Sequence, residues 1–194
     1  MTEVRDTLED RYEWAVALMS SFAVTTIVKR VISLATLSMA VFASLEIGLG
    51  YAATTQWGLA LQWASMIFAY IAAVWWWVAP WPRIGLAFTF VVGADVSMFI
   101  SMFVADVPPE IMLGSTALFI EIGMFVGFFL ARWMLATHVI FCTAATTFIA
   151  LWVMVVHDVE PVMVAIVWSP IVVSIIGFVL LLHFCARSIR MEFE

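Results

Sequence analysis

Two carboxyl groups stand inside runs that are otherwise apolar. Asp95 sits in "GADVSM" (93–98) and Glu121 in "LFIEIGMF" (118–125). A charged side chain at the centre of a bilayer costs about 2.5 to 3.5 kcal/mol on insertion scales, so such residues face a protein interior and are paired or functional. At 1.5 Å per residue, about eleven residues separate Asp95 from one end of its run and about ten separate Glu121 from the opposite end of its own, which puts both near mid-membrane. Their chemistry is that of a proton-linked switch, an ion site or a polar ligand contact. The structural alternative is an acid bonded to a neighbouring Ser, Thr or backbone carbonyl. Glu46 lies nearer the outer third of its run and is a secondary candidate for a polar pocket.

A second group of residue types could bind soft metals. Met134, His138 and Cys142 follow at i, i+4 and i+8, with His183 and Cys185 further on. Thioether, imidazole and thiol suit a soft metal or haem. The donors spread over more than one helical turn, however, and the spacing is not diagnostic, so no metal and no cofactor is assigned. His157, Asp158 and Glu160 read as a solvated loop. No P-loop, HExxH, GxSxG or dinucleotide fingerprint occurs, so no catalytic residue is named and no enzyme is expected. The eight Lys and Arg residues are dispersed and form no nucleic-acid surface.

Positioning these groups falls to membrane helices. Of the 194 residues 65% are hydrophobic and 11% charged, far from the composition of a soluble domain. Long continuous apolar runs favour helices over a barrel, whose strands alternate. The expected fold is an all-α integral membrane bundle of six transmembrane helices, over 31–54, 58–79, 84–105, 111–131, 135–156 and 162–184. The separators "APWPR" (79–83), "ADVPPE" (105–110) and "HDVEP" (157–161) place prolines where helices stop or start. The organisation follows as a cytoplasmic tail with a short interfacial helix (1–30), the six-helix domain (31–184) and a cytoplasmic tail (185–194). The stretch 14–28 is too short to span, and the start lacks the basic region and cleavage site of a signal peptide.

Charge sets the orientation. Arg5, Arg11, Lys29 and Arg30 precede the first helix, Arg83 and Arg132 lie in alternate loops, and Arg187 and Arg190 follow the sixth. The opposite loops hold Asp106, Glu110, Asp158 and Glu160 instead. Lys and Arg collect on the cytoplasmic side, so both termini are placed there, in the plasma (inner) membrane. Trp57, Trp63 and Trp152 then mark the outer interface, and Trp75, Trp76, Trp77, Trp81 and Trp133 the inner one. Cys142 and Cys185 fall in the cytoplasmic half and read as free thiols.

Helical geometry separates the faces. Gly93, Ser97 and Ser101 recur every four residues, roughly opposite Asp95, and Gly123 with Gly127 forms a GxxxG roughly opposite Glu121. Small-residue stripes let backbones approach closely, and a homodimer contact is expected through one of them, the alternative being packing within the subunit. Pro170 removes a backbone hydrogen bond within the sixth helix and is read as a hinge there.

Several stretches resemble the six-helix membrane domains at the N-terminus of mycobacterial and other actinobacterial GGDEF diguanylate cyclases. They are "YEW" (12–14), "WPRIGLAF" (81–88), "ADVPPEIMLGSTALF" (105–119) and "GFFLAR" (127–132). In that family the sixth helix runs into a cytoplasmic cyclase. This sequence reaches Glu194 without a GGDEF signature, so cyclase activity is not carried over. The resemblance implies a sensor or regulatory module in signal transduction, surrounded by membrane lipid, dimeric, and acting on a cytoplasmic effector or fused cyclase domain. An alternative is a small-molecule-binding transporter subunit similar to the substrate-binding component of energy-coupling-factor systems, with Ala40 and Ser44 contacting a partner.

Overall fold

The computed structural model describes residues 2–193, with side chains described for residues 12–189. Among them the chain is helical without a strand. Its helices are α1 (Thr2–Ser21), α2 (Thr25–Gly48), α3 (Gln56–Val78), α4 (Ile84–Val104), α5 (Pro109–Ser115), α6 (Phe119–Phe129), α7 (Arg132–Val156) and α8 (Pro161–Phe193). A 3₁₀ turn at Thr116–Leu118 joins α5 to α6, so Pro109–Phe129 crosses as one span. With α2, α3, α4, α7 and α8 this makes six helices long and apolar enough to cross a bilayer, as expected of a multi-pass membrane protein. The helix α1 is not among them.

Boundaries differ from the sequence reading mainly at the first span. It runs from Thr25 to Gly48 rather than over 31–54, because the break falls at 22–24, where Ala23 takes a left-handed φ of 54°. Lys29 and Arg30 therefore belong to α2 itself. The far end of α2 stops at Gly48, two residues before Gly50, whose φ of 90° suits a residue without Cβ. The α3 helix starts where the Thr55 side chain accepts a bond from the Gly58 N–H at 3.1 Å. Pro161 opens α8 in the one turn of a helix that needs no N–H from it. The expected tail 185–194 is not separate from the last helix, since α8 continues to Phe193. Met1 and Glu194, and the side chains of Arg5, Arg11 and Arg190 counted in the charge asymmetry, lie outside the described residues.

The chain divides into two compact units. Inside lipid the hydrophobic effect does not draw apolar helices together, so close approach and interhelical hydrogen bonds must do so. The unit Val16–Met112 uses both. Between α2 and α3, Ser33 Oγ donates to the Ala73 carbonyl at 2.6 Å, and Ser44 Oγ meets Tyr70 Oη at 2.9 Å and Met66 Sδ at 3.1 Å. Ala40, Ala72 and Ala73 are buried along the same seam. Lys29 Nζ donates to the Ala79 carbonyl, which the end of α3 leaves unpaired. Between α3 and α4, Gly93 receives the Phe68 ring: a Cβ there would lie 2.8 Å from Cζ. Trp76 is 1% exposed, in edge contact with Trp75, Trp81 and Phe90 at centroid distances of 5.2, 5.6 and 5.4 Å. Trp76, expected near the inner interface, thus faces protein on all sides. Trp77, with the Arg30 guanidinium 5.3 Å above its ring, is exposed as an interfacial residue would be.

The other unit joins Met1–Ala15 with Leu113–Glu194 and is built on α6, α7 and α8. The buried side of α8 is a stripe of Val164, Val172, Ile175, Val179, His183 and Ala186, at spacings of three, four and eight that keep one face of a helix inward. Its opposite side is exposed apolar surface, including Ile166, Val173, Phe178 and Leu181. On a membrane helix that face meets lipid.

Candidate functional site at the junction of α6, α7 and α8

Glycine sets how closely α6 and α8 approach. A Cβ at Gly127 would lie 2.8 Å from the Val179 carbonyl oxygen and 3.3 Å from Leu182 Cβ. A Cβ at Gly123 would lie 2.5 Å from Val179 Cγ2 and 3.0 Å from His138 Nε2. Gly127 thus brings α6 against the backbone of α8. Gly123, one turn away, opens the space in which the Val179 side chain and the His138 ring of α7 meet it. The small-residue stripes read as a dimer seam are occupied by the chain's own neighbours at Gly93, Gly123 and Gly127. Ser97 and Ser101 are half-buried.

One face of α7 carries the polar groups of this junction. Met134, His138, Cys142 and Thr146 follow at four-residue intervals, and all four are buried. Cys142 Sγ lies 3.5 Å from His138 Nδ1 and 3.8 Å from Nε2. Thr146 Oγ1 is buried with no hydrogen-bond partner. Away from this point, Trp168 Nε1 of α8 donates to Thr147 Oγ1 of α7 at 3.2 Å, and Thr147 in turn donates to the Thr143 carbonyl at 2.7 Å. This ties α8 to α7 two residues before Pro170. The rings of Phe119 and Phe141 meet edge to face at 6.4 Å and join α6 to α7. Both cysteines are free, Cys142 buried and Cys185 exposed.

The acidic candidates are dispersed differently. Asp95 is 3% exposed on α4, in the unit Val16–Met112. Glu121 is half-buried in the first turn of α6, in the other unit, and Glu46 is half-buried near the Gly48 end of α2. Pro170 lies inside α8, which continues through it, and its ring is exposed. Of Ala40 and Ser44, considered as a partner-binding face, Ala40 is fully buried and Ser44, half-buried, bonds Tyr70 of α3. His157, Asp158 and Glu160 are exposed in the loop before α8, with Asp158 at φ 54°.

Two features were not anticipated. The first is the tightened turn at Thr116–Leu118, where Thr116 Oγ1 donates to the Leu113 carbonyl at 2.7 Å. The run Gly114-Ser115-Thr116 was its available signal, since hydroxyls that bond back to the preceding turn bend helices. The second is Gln62, wholly buried in α3, whose Oε1 accepts the Ala53 N–H at 3.0 Å. No family model, no curated protein and no solved structure matches this chain.

Proposed function

We propose that this chain is a sensory or regulatory module of the plasma membrane in which α8 carries a membrane-embedded signal to the cytoplasmic side. The observation that carries the reading is the continuity of α8 from Pro161 to Phe193, through Pro170 and on past its apolar span into "ARSIRMEF". A helix propagates a displacement along its axis because each backbone hydrogen bond couples one turn to the next. The contacts of α8 differ along its length, with a hydrogen bond from Trp168 to Thr147 before Pro170 and a glycine-lined contact at Val179 beyond it. Such contacts permit small shifts of one helix along another, while a missing backbone bond at proline lowers the resistance to bending between them. The resemblance to membrane domains of diguanylate cyclases points the same way, and a cytoplasmic effector or fused cyclase would be the recipient.

The test is a distance measurement in the whole chain. Spin labels at Trp133 and Ile189, both exposed and both in the same unit, report the position of the distal part of α8 against α7. Thr147→Val removes the acceptor for Trp168, and bilayers of different thickness change helix tilt. The expected result is a shift of a few Å in the label distance with either perturbation. An identical distance distribution in every bilayer, with and without the substitution, would refute the relay.

A further inference from the structure

In the unit Val16–Met112 every cation lies at one end. Lys29 and Arg30 fall in the first two turns of α2, and Arg83 caps the start of α4, a short connection beyond the close of α3 at Val78. The carboxylates of the unit lie elsewhere: Glu46 and Asp106 toward the opposite end, with Glu110 in the first turn of α5, and Asp95 within α4. We propose that this cationic end is a binding site for an anionic phospholipid, whose phosphate is held by Arg30 with Lys29 and Arg83 adding charge.

The side chains suit a phosphate. The Arg30 guanidinium lies 5.3 Å above the Trp77 ring, a stacking that uses the face of the group and fixes its plane. Its N–H donors, in a fork that matches a phosphate, have neither a carboxylate nor a hydrogen-bond acceptor among the described residues. Lys29 gives one of its three donors to the Ala79 carbonyl, which leaves two for an anion. Arg83 is exposed and its side chain makes no bond at the cap of α4.

What lies next to these groups separates a lipid from a free phosphate. Leu34 stands one turn deeper than Arg30 on the same side of α2, and Val74 one turn deeper than Trp77 on α3. They are 54% and 62% exposed, and Trp77 is 51% exposed. The surface therefore passes within one turn from cationic to apolar, so a ligand that carries a charged head and an acyl chain meets both parts, whereas a soluble phosphate meets only the first. Basic residues beside transmembrane helices attract anionic lipid by about 1 kcal/mol each, a factor of about five in affinity.

The experiment titrates the whole chain, in a neutral detergent, with phosphatidylglycerol and separately with phosphatidylcholine of the same acyl chains, and counts retained lipid by native mass spectrometry. Phosphatidylglycerol is expected to be retained in preference. Arg30→Gln and Arg83→Gln should each weaken its binding about fivefold, with phosphatidylcholine unchanged. Trp77→Leu, which keeps an apolar side chain but removes the ring face, should weaken it about two- to fivefold. Arg187→Gln removes an exposed cation from the other unit and should leave the binding as it is. Monodispersity and helical content are recorded for each variant, and if Arg30→Gln does not fold, Arg83→Gln decides. Equal retention of the two lipids, an equal loss in Arg187→Gln and Arg30→Gln, or displacement of phosphatidylglycerol by soluble glycerol phosphate would each overturn the proposal. The site lies outside the unit of α6, α7 and α8 that carries the relay, so refuting one leaves the other standing.

Discussion

Replacing Gly127 by alanine tests the central packing claim. The added Cβ would sit 2.8 Å from the carbonyl oxygen of Val179, and ordinary contact begins at 3.4 Å, so α6 and α8 must part by 0.6 Å there. A side chain could turn aside, but a helix carbonyl cannot leave its own hydrogen bond. A gap of about 0.5 to 1 Å forfeits roughly a quarter to a half of the dispersion energy of the atoms facing it. Overpacking of this kind costs about 1 to 3 kcal/mol. Against it stands the better helix propensity of alanine, up to about 1 kcal/mol. The net expectation is a loss of about 1 to 2 kcal/mol. Gly177→Ala provides the control on α8, since nothing lies within 4 Å of its Cβ, and it should be neutral or stabilising by up to about 1 kcal/mol. Reversible unfolding of the full chain in mixed micelles with increasing SDS, followed by circular dichroism, gives both values. If the two substitutions shift the midpoint alike, the close approach of α6 to α8 does not exist as described.

Three further outcomes follow from local geometry. The Ser44–Tyr70 bond at 2.9 Å should have a coupling energy near 0.6 kcal/mol in a double-mutant cycle of Ser44→Ala and Tyr70→Phe, measured by the same unfolding assay. Thr55→Ala removes the acceptor for the Gly58 N–H and should cost about 1 kcal/mol, whereas Thr55→Ser should restore most of it. Ala23→Gly relieves a left-handed alanine at φ 54° and should stabilise the junction of α1 and α2 by roughly 1 kcal/mol, read as slower amide exchange at 22–26.

What could be read from the sequence follows from what a bilayer makes obligatory. Spans must be long and apolar, and turns need prolines or glycines, so α3, α4 and α7 fall within a few residues of their expected limits. The break at 22–24 has neither proline nor glycine, only Ala23 in a glycine-like conformation, and so the start of α2 was misplaced. Which face of a helix is buried was harder to read. In water a polar stripe marks the outside, but α7 is apolar on every side. Thus Met134, His138 and Cys142 give an i+4 spacing without a direction. The burial of Trp76 was not legible for the same reason, because five tryptophans assigned to one interface look alike until the neighbours of each are known. The glycine pair on α6 was legible as a place of close approach, although its partner is α8 of the same chain.

The length of α8 has a mechanical consequence. At 1.5 Å per residue its 33 residues extend about 50 Å, while the hydrocarbon layer is about 30 Å thick. From Pro170 to Phe193 the arm measures about 35 Å, so bending by about 5° at the proline sweeps the far end sideways by about 3 Å. Such a lever gives a greater stroke at its tip than any movement needed at its pivot, so that an atomic-scale adjustment beside Pro170 becomes a displacement of several atomic radii at the far end of the helix.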